Sequence, residues 1–380
     1  MQKYLLISNA YPTAEKLYAN AFLHRRVKAY AERGLDITVV VITTRVLKDK
    51  YYDGVRIKYM DTHEIASHLH THEYNTVMFH FVNPKMFYGI KTMPQDKRPR
   101  IVVWLHGFEA EAWHRRYYNF LGDIKQLDAQ LERRDTVYQP QKVFLQDIMT
   151  SDEYDISFIY VSEAFKSLYV DPYTEIVPRR YAIIPNIVDE RLFPYRKKTA
   201  ADVKKICSIR PYVSKNYAND ITAAVIEQLS RKKYFKELTF NLYGDGPLFD
   251  EVTAPLKRFN NVHLHKGFVA QSDISEIHKN HGVFLCPSRH DSQGVSIGEA
   301  MASGLVPVSN AIGGIPEFVP EGTGYLAERD HVDEMVQYFD ALYQHPKTFL
   351  KMSKKAADFI RKKAGVKAVI DKEIEVITGD

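Results

Sequence analysis

Two rhythms of apolar residues alternate along this chain. Short apolar runs at 4–8, 37–42, 77–81 and 101–105, each closed by polar residues or glycine, predict buried strands. Between the first two, Leu23, Val27, Tyr30 and Ala31 share one helical face, and Gly34 stands where a helix C-cap is wanted. The same βαβ rhythm resumes at 156–161 and 181–186 after a charged, aromatic excursion over 110–154. A second series of strands is expected at 206–209, 238–243, 262–264, 282–286 and 305–308, with helices in the gaps. The pattern implies α/β architecture: two Rossmann-like domains with parallel sheets, 1–190 and 205–362, joined by a linker at 191–204. Residues 363–380 are helical in pattern and are expected to pack back on the first domain.

The chain has 380 residues, 45% hydrophobic and 26% charged, which suits a globular protein too long for one core. No run approaches the ~18 apolar residues of a membrane span. The first residues read as a strand rather than a secretory signal, so a cytoplasmic location is expected. Cys207 and Cys286 sit in apolar runs and are expected to be buried, reduced thiols. His63, His68, His70 and His72 fall in a polar segment and are read as surface histidines, not metal ligands. The net charge is +5. Its basic runs, such as Arg196-Lys197-Lys198 and Arg231-Lys232-Lys233, predict a solvated face with a second use at an anionic membrane surface. No nucleic-acid-binding signature accompanies them.

Candidate chemistry concentrates at 287–304. A polar loop with Gly294 follows a strand and enters a helix that Gly304 can end, and Asp291 and Glu299 flank the helix start eight residues apart. Ligands bind outside the carboxyl ends of strands in open parallel sheets, and helix N-termini attract phosphate.

This stretch resembles the carboxylate-x7-carboxylate signature of retaining family-4 glycosyltransferases of the GT-B fold, the type found in bacterial glycan synthesis. Gly294, Glu299, Ala300, Met301, Ala302 and Gly304 match; Asp291 replaces the usual Glu, and Ser292 and Gln293 also depart. Arg210 with Lys215 resembles the family's diphosphate clamp. Gly244 falls in the loop after the next strand, and Phe268 with Val269 resembles the base-reading segment. His106-Gly107 resembles the active-site histidine of the first domain, whereas 10–14 lacks the glycine pair often found there. The resemblance implies that Arg210, Lys215, His106 and Asp291 carry the transfer. It also implies that Glu299, Gly294, Val295, Gln293, Phe268, Val269 and Gly244 hold the donor.

Implied with it are a nucleotide-sugar co-substrate, a glycan or lipid-linked acceptor, a hexosyl transfer with retention, and no metal or other cofactor. Arg210 and Lys215 can neutralise the departing diphosphate, which removes the need for magnesium. The enzyme could sit at the inner face of a membrane. A Rossmann oxidoreductase would want Gly-x-Gly-x-x-Gly after the first strand, where the chain reads Ser8-Asn9-Ala10-Tyr11-Pro12-Thr13. A glycoside hydrolase would not need two cations. The alternative from another class is a catalytically silent nucleotide-sugar-binding or assembly subunit.

Overall fold

Apolar runs that lack helical spacing become the strands of two separate sheets. The computed structural model describes residues 2–16 and 19–379. The chain divides into one unit of residues 1–115, 125–187 and 367–380, and another of 116–124 and 188–366.

The first unit carries an eight-stranded sheet in the order β3-β4-β2-β1-β5-β6-β7-β8. These strands are β1 (Lys3–Ser8), β2 (Asp36–Ile42), β3 (Lys50–Tyr52), β4 (Val55–Met60), β5 (Thr76–His80), β6 (Arg100–Leu105), β7 (Ile156–Tyr160) and β8 (Tyr181–Ile183). All pairings are parallel except β3 with β4. That hairpin adds one antiparallel edge pair to the expected parallel sheet. Its turn is Asp53-Gly54, both with positive φ, the geometry a two-residue hairpin loop requires. Alternation along β6 sends Ile101, Val103 and Leu105 into one core and Trp104 to the opposite face.

The second unit has a six-stranded sheet in the order β11-β10-β9-β12-β13-β14. Its strands are β9 (Lys205–Ile209), β10 (Thr239–Gly244), β11 (Val262–Lys266), β12 (Val283–Leu285), β13 (Val306–Asn310) and β14 (Tyr325–Ala327), all parallel. Ile206, Phe240, Val283 and Leu285 face one core, and Cys207, Phe284 and Cys286 face the other, beneath the helix Val295–Ala302. Both cysteines are buried and free.

Residues 191–204, expected as a linker, lie inside this second unit, where Phe193 is fully buried. Residues 116–124, from the expected excursion, also belong to it. The C-terminal residues 367–380 belong to the first unit. Among the described residues no helix is long and apolar enough to cross a membrane.

Candidate active site

Strand order determines where a ligand can enter the second sheet. β9 lies between β10 and β12, so the chain winds in opposite directions from it. The carboxyl ends of β9 and β12 therefore flank a crevice at the topological switch point. Arg210 follows β9 directly, and the 286–294 loop follows β12.

Arg210 is 5% exposed. Its guanidinium donates to the Ser296 hydroxyl at 3.1 Å and to the Ser288 hydroxyl, and lies 4.9 Å from the centre of the Tyr217 ring. No carboxylate among the described residues pairs with it, and its buried Nε has no hydrogen-bond partner. A buried cation held only by hydroxyls and a ring face is costly until an anion arrives. Ser296 lies in the first turn of the helix Val295–Ala302, so Arg210 and the positive end of that helix address one place.

Glycines permit this close assembly. Gly294 caps the helix at φ 81°, a left-handed conformation, and a Cβ there would press on Ile315 and Ile297 at 3.2 and 3.3 Å. At Gly244 a Cβ would stand 1.9 Å from the Arg210 carbonyl oxygen. Only a hydrogen fits between β10 and the Arg210 backbone.

Asp291 is turned into its own loop. Its Oδ1 accepts from the backbone N–H of Gln293 at 3.0 Å and of Gly294 at 2.6 Å, and its carbonyl accepts from Gly314 N at 3.1 Å. Gln293 is buried and Val295 half-buried. Glu299, 8% exposed, occupies the next turn of the same helix. Because Asp291 shapes the loop through these two bonds, Asp291→Ala should weaken binding of a bare nucleoside diphosphate severalfold, a part of the ~1.5–3 kcal/mol that a hydrogen bond to a charged group contributes. Asp291→Asn keeps the oxygen acceptor and should bind that ligand like the parent. Titration calorimetry separates these outcomes, and equal affinity for Asp291→Ala and parent would refute the loop role.

Lys215 is exposed, and its ammonium has no partner among the described residues. Its backbone is held firmly. Asn119 Oδ1 accepts from Lys215 N at 3.1 Å and from the Ser214 hydroxyl at 2.9 Å, and Tyr118 donates to Asn216 at 2.6 Å. Arg289 donates to the Lys215 carbonyl at 3.0 Å while its guanidinium pairs with Asp220 at 2.6 Å and Asp330 at 3.1 Å. Sequence reasoning missed Ser288, Ser296, Arg289 and Asn119. For Arg289 the available signal was an arginine in the polar loop and an aspartate opening the helix Asn219–Leu229. Phe268 is 64% exposed and follows β11, where Gly267 N donates to the Gly244 carbonyl at 3.0 Å; Val269 comes next.

His106 belongs to the first unit, at the carboxyl end of β6. Its ring is buried between Phe22 and Phe81, with centroids at 5.0 and 4.8 Å, and its Nε2 lies 2.9 Å from His80 Nδ1. Burial holds both imidazoles neutral, well below the usual histidine range. The Glu109 carboxylate accepts from the backbone N–H groups of His106 and Gly107, and burial pushes its pKa up to about 7. Of the four histidines expected on the surface, His63, His70 and His72 are exposed. His68 is a correction: it is buried, 2.8 Å from the Tyr74 hydroxyl, because it shares a helical face with Ile65 and Leu69. Among the described residues no cluster of three His, Cys, Asp or Glu could hold a metal ion.

Residues 206–345 match the family model for "Glycosyl transferases group 1". Over 164 residues the chain is 30% identical to a phosphatidylinositol N-acetylglucosaminyltransferase subunit from Arabidopsis thaliana, covering 42% of this chain and 36% of that protein. It thus spans about a third of the length of the curated relatives it matches first. Sucrose-phosphate synthase from Thermosynechococcus elongatus superposes with a TM-score of 0.75 at 13% identity, covering 99% of this chain and 98% of that one. Anabaena Alr3699/HepE in complex with UDP and glucose does so at 0.71 and 14%, covering both chains completely. At these identities the structures speak to the fold alone, and that fold is GT-B, two Rossmann-like domains.

Proposed function

We propose that this protein, whose residues 206–345 match the model for group 1 glycosyl transferases, moves a hexose from a nucleotide-diphosphate sugar to a glycan or lipid-linked acceptor, retaining the anomeric configuration. The observation that carries this reading is Arg210: a buried guanidinium at the switch point, lacking a carboxylate and aimed with a helix N-terminus at one spot. A departing diphosphate gains charge as the sugar–oxygen bond breaks. Arg210 and Lys215 stabilise that charge more in the transition state than in the ground state. No divalent ion is required, and the leaving phosphate accepts the acceptor's proton on the face it departs from. Asp291 supports retention without a covalent sugar intermediate, since its carboxylate is engaged by backbone N–H groups.

Glu299 is assigned to the ribose hydroxyls, Phe268 and Val269 to the base, and Gly294, Val295, Gln293 and Gly244 to the backbone surface around the phosphates. His106, neutral and buried, contacts the donor sugar without acting as a base. A lipid-linked acceptor is favoured by the first matched relatives, whose names specify phosphatidylinositol. The exposed Leu121 and Ile124 suit the same acceptor, and the exposed lysines 347, 351, 362 and 363 suit an anionic membrane surface at the inner face of the cell.

A silent binding or assembly subunit is the second reading, favoured by the inward-turned Asp291 and by the word "subunit" in those names. A panel of nucleotide sugars, UDP-sugars first, decides between them. Slow hydrolysis of one donor, unaffected by excess EDTA and giving first a sugar of unchanged anomeric configuration by proton NMR, is expected. Glu299→Gln should weaken binding of the bare nucleotide. Binding without any turnover would establish the subunit reading, and turnover lost in EDTA and restored by magnesium would refute the cation clamp.

A further inference from the structure

The first unit contains a buried polar network that the diphosphate chemistry does not use. Its hub is Glu373, on the helix Val366–Thr378, with its side chain and that of Arg26 fully buried. The Glu373 carboxylate accepts from Arg26 Nε at 3.0 Å, from the Tyr30 hydroxyl at 2.6 Å and from Trp104 Nε1 at 3.0 Å. Two lines run from this hub to His106. In one, Arg26 Nη2 donates to Asn186 Oδ1 at 3.2 Å, and the Asn186 side chain interacts with the His106 ring as a hydrogen-bond partner. In the other, Trp104 stacks on His80 with centroids 4.5 Å apart, and His80 Nδ1 meets His106 Nε2 at 2.9 Å.

A neutral imidazole has one donor nitrogen and one acceptor. Where His80 Nδ1 meets His106 Nε2, one nitrogen carries the proton and the other accepts it, so the tautomers of the two rings are tied. The outer nitrogens, His80 Nε2 and His106 Nδ1, are both buried, so either tautomer pair leaves one bare nitrogen and one N–H facing the interior. The choice between the two pairs falls to the groups packed around the rings. Asn186 stands on the His106 side and Trp104 on the His80 side. Partners beyond a histidine commonly set such choices.

We infer that Glu373 is a positioning residue: from the C-terminal helix it fixes the tautomer and orientation of His106 through Arg26 and Asn186 on one side and Trp104 and His80 on the other. The functional meaning rests on His106 being a sugar contact, as proposed above. Tyr30 is a built-in control, since it donates to the same carboxylate but belongs to neither line.

The experiment compares Glu373→Gln, Trp104→Phe and Tyr30→Phe in protein labelled with 15N-histidine, the His106 signals being identified from a His106→Gln spectrum. The parent should show a single tautomer of His106, unchanged between pH 6 and 8. Glu373→Gln and Trp104→Phe should shift its ring nitrogens toward a mixture of tautomers, whereas Tyr30→Phe should not, though it also lowers the melting temperature. Trp104→Phe leaves the Arg26–Glu373 charges paired, so it remains informative if Glu373→Gln does not fold. Ring-nitrogen shifts identical to the parent in Trp104→Phe, or moved equally by Tyr30→Phe, would overturn the inference. Steady-state kinetics on the same proteins tests the reading beneath it: kcat should fall about tenfold in Trp104→Phe and less than twofold in Tyr30→Phe, as expected for one neutral hydrogen bond's positioning. A perturbed ring with unchanged kcat would keep the positioning role and remove His106 from the donor site.

Discussion

Arg210→Ala should lower kcat by about a hundredfold to a thousandfold, the range seen when one preorganised charge-stabilising donor is removed. Its effect on folding should be small or favourable. The guanidinium is buried, its Nε is unsatisfied, and it meets only Ser288, Ser296 and the Tyr217 ring. Deleting a buried cation that lacks a carboxylate removes a desolvation cost rather than an ion pair. The melting temperature should therefore hold or rise while turnover collapses, the signature of a residue kept for function at the expense of stability. Arg210→Lys should recover only part of the rate. One ammonium cannot reach both hydroxyls and present a flat face to Tyr217. Lys215→Ala should cost less, because that ammonium is exposed to water. Steady-state kinetics with calorimetric melting tests the pair of effects. A variant that melts far lower yet turns over normally would make Arg210 a structural residue.

Acid should unfold this protein early. Burial holds His80 and His106 well below the usual histidine range and His278 down at about 3. In the unfolded chain each titrates near 6.5, so the stability tied to their neutral forms is complete above 6.5. It is lost as pH falls toward the folded values, and each histidine then costs about 1.4 kcal/mol per pH unit. At pH 5 His278 alone removes about 2 kcal/mol, and His80 and His106 act in the same direction. Glu109 acts in the other direction. Its folded pKa is raised to about 7 by burial, so its contribution is complete below its unfolded value and declines as pH rises through 7. Acidification to pH 5 returns on the order of 3 kcal/mol through that group. A net loss of stability between pH 7.5 and 5 is thus expected, measurable as a lower urea midpoint with proton uptake on unfolding. Equal stability at the two pH values would mean that these imidazoles are charged in the folded state.

The alternation of apolar runs was enough to reveal both sheets, because buried parallel strands are nearly continuous apolar segments. The β3–β4 hairpin was overlooked although Tyr52-Asp53-Gly54-Val55 carries its turn; Lys50 and Arg56 dilute the strand pattern on that exposed edge. β14 has only three residues, too few for a period to register. In the candidate site, a local strand–loop–helix pattern was enough to bring Arg210, Gly294 and Glu299 forward as candidates. The loop role of Asp291 was not visible, since its one-methylene difference from glutamate shows its effect only when its oxygen meets the Gly294 N–H. Arg289 and Ser288 were hidden for the same reason. The partnership of Arg26 with Glu373 joins residues 347 positions apart, and no local pattern contains it.

That separation bears on how the protein is made. A ribosome completes β1 to β8 and the helix Ala21–Ala31 long before Glu373 exists, and Arg26 has no other carboxylate partner among the described residues. Until the last helix is delivered, the early half of the nascent chain holds an uncompensated cation beside Trp104, and Thr76 lacks the Ile377 carbonyl to which its hydroxyl donates at 2.7 Å. Final consolidation of the first unit therefore waits for the helix Val366–Thr378 to be made, rather than proceeding vectorially from the N-terminus.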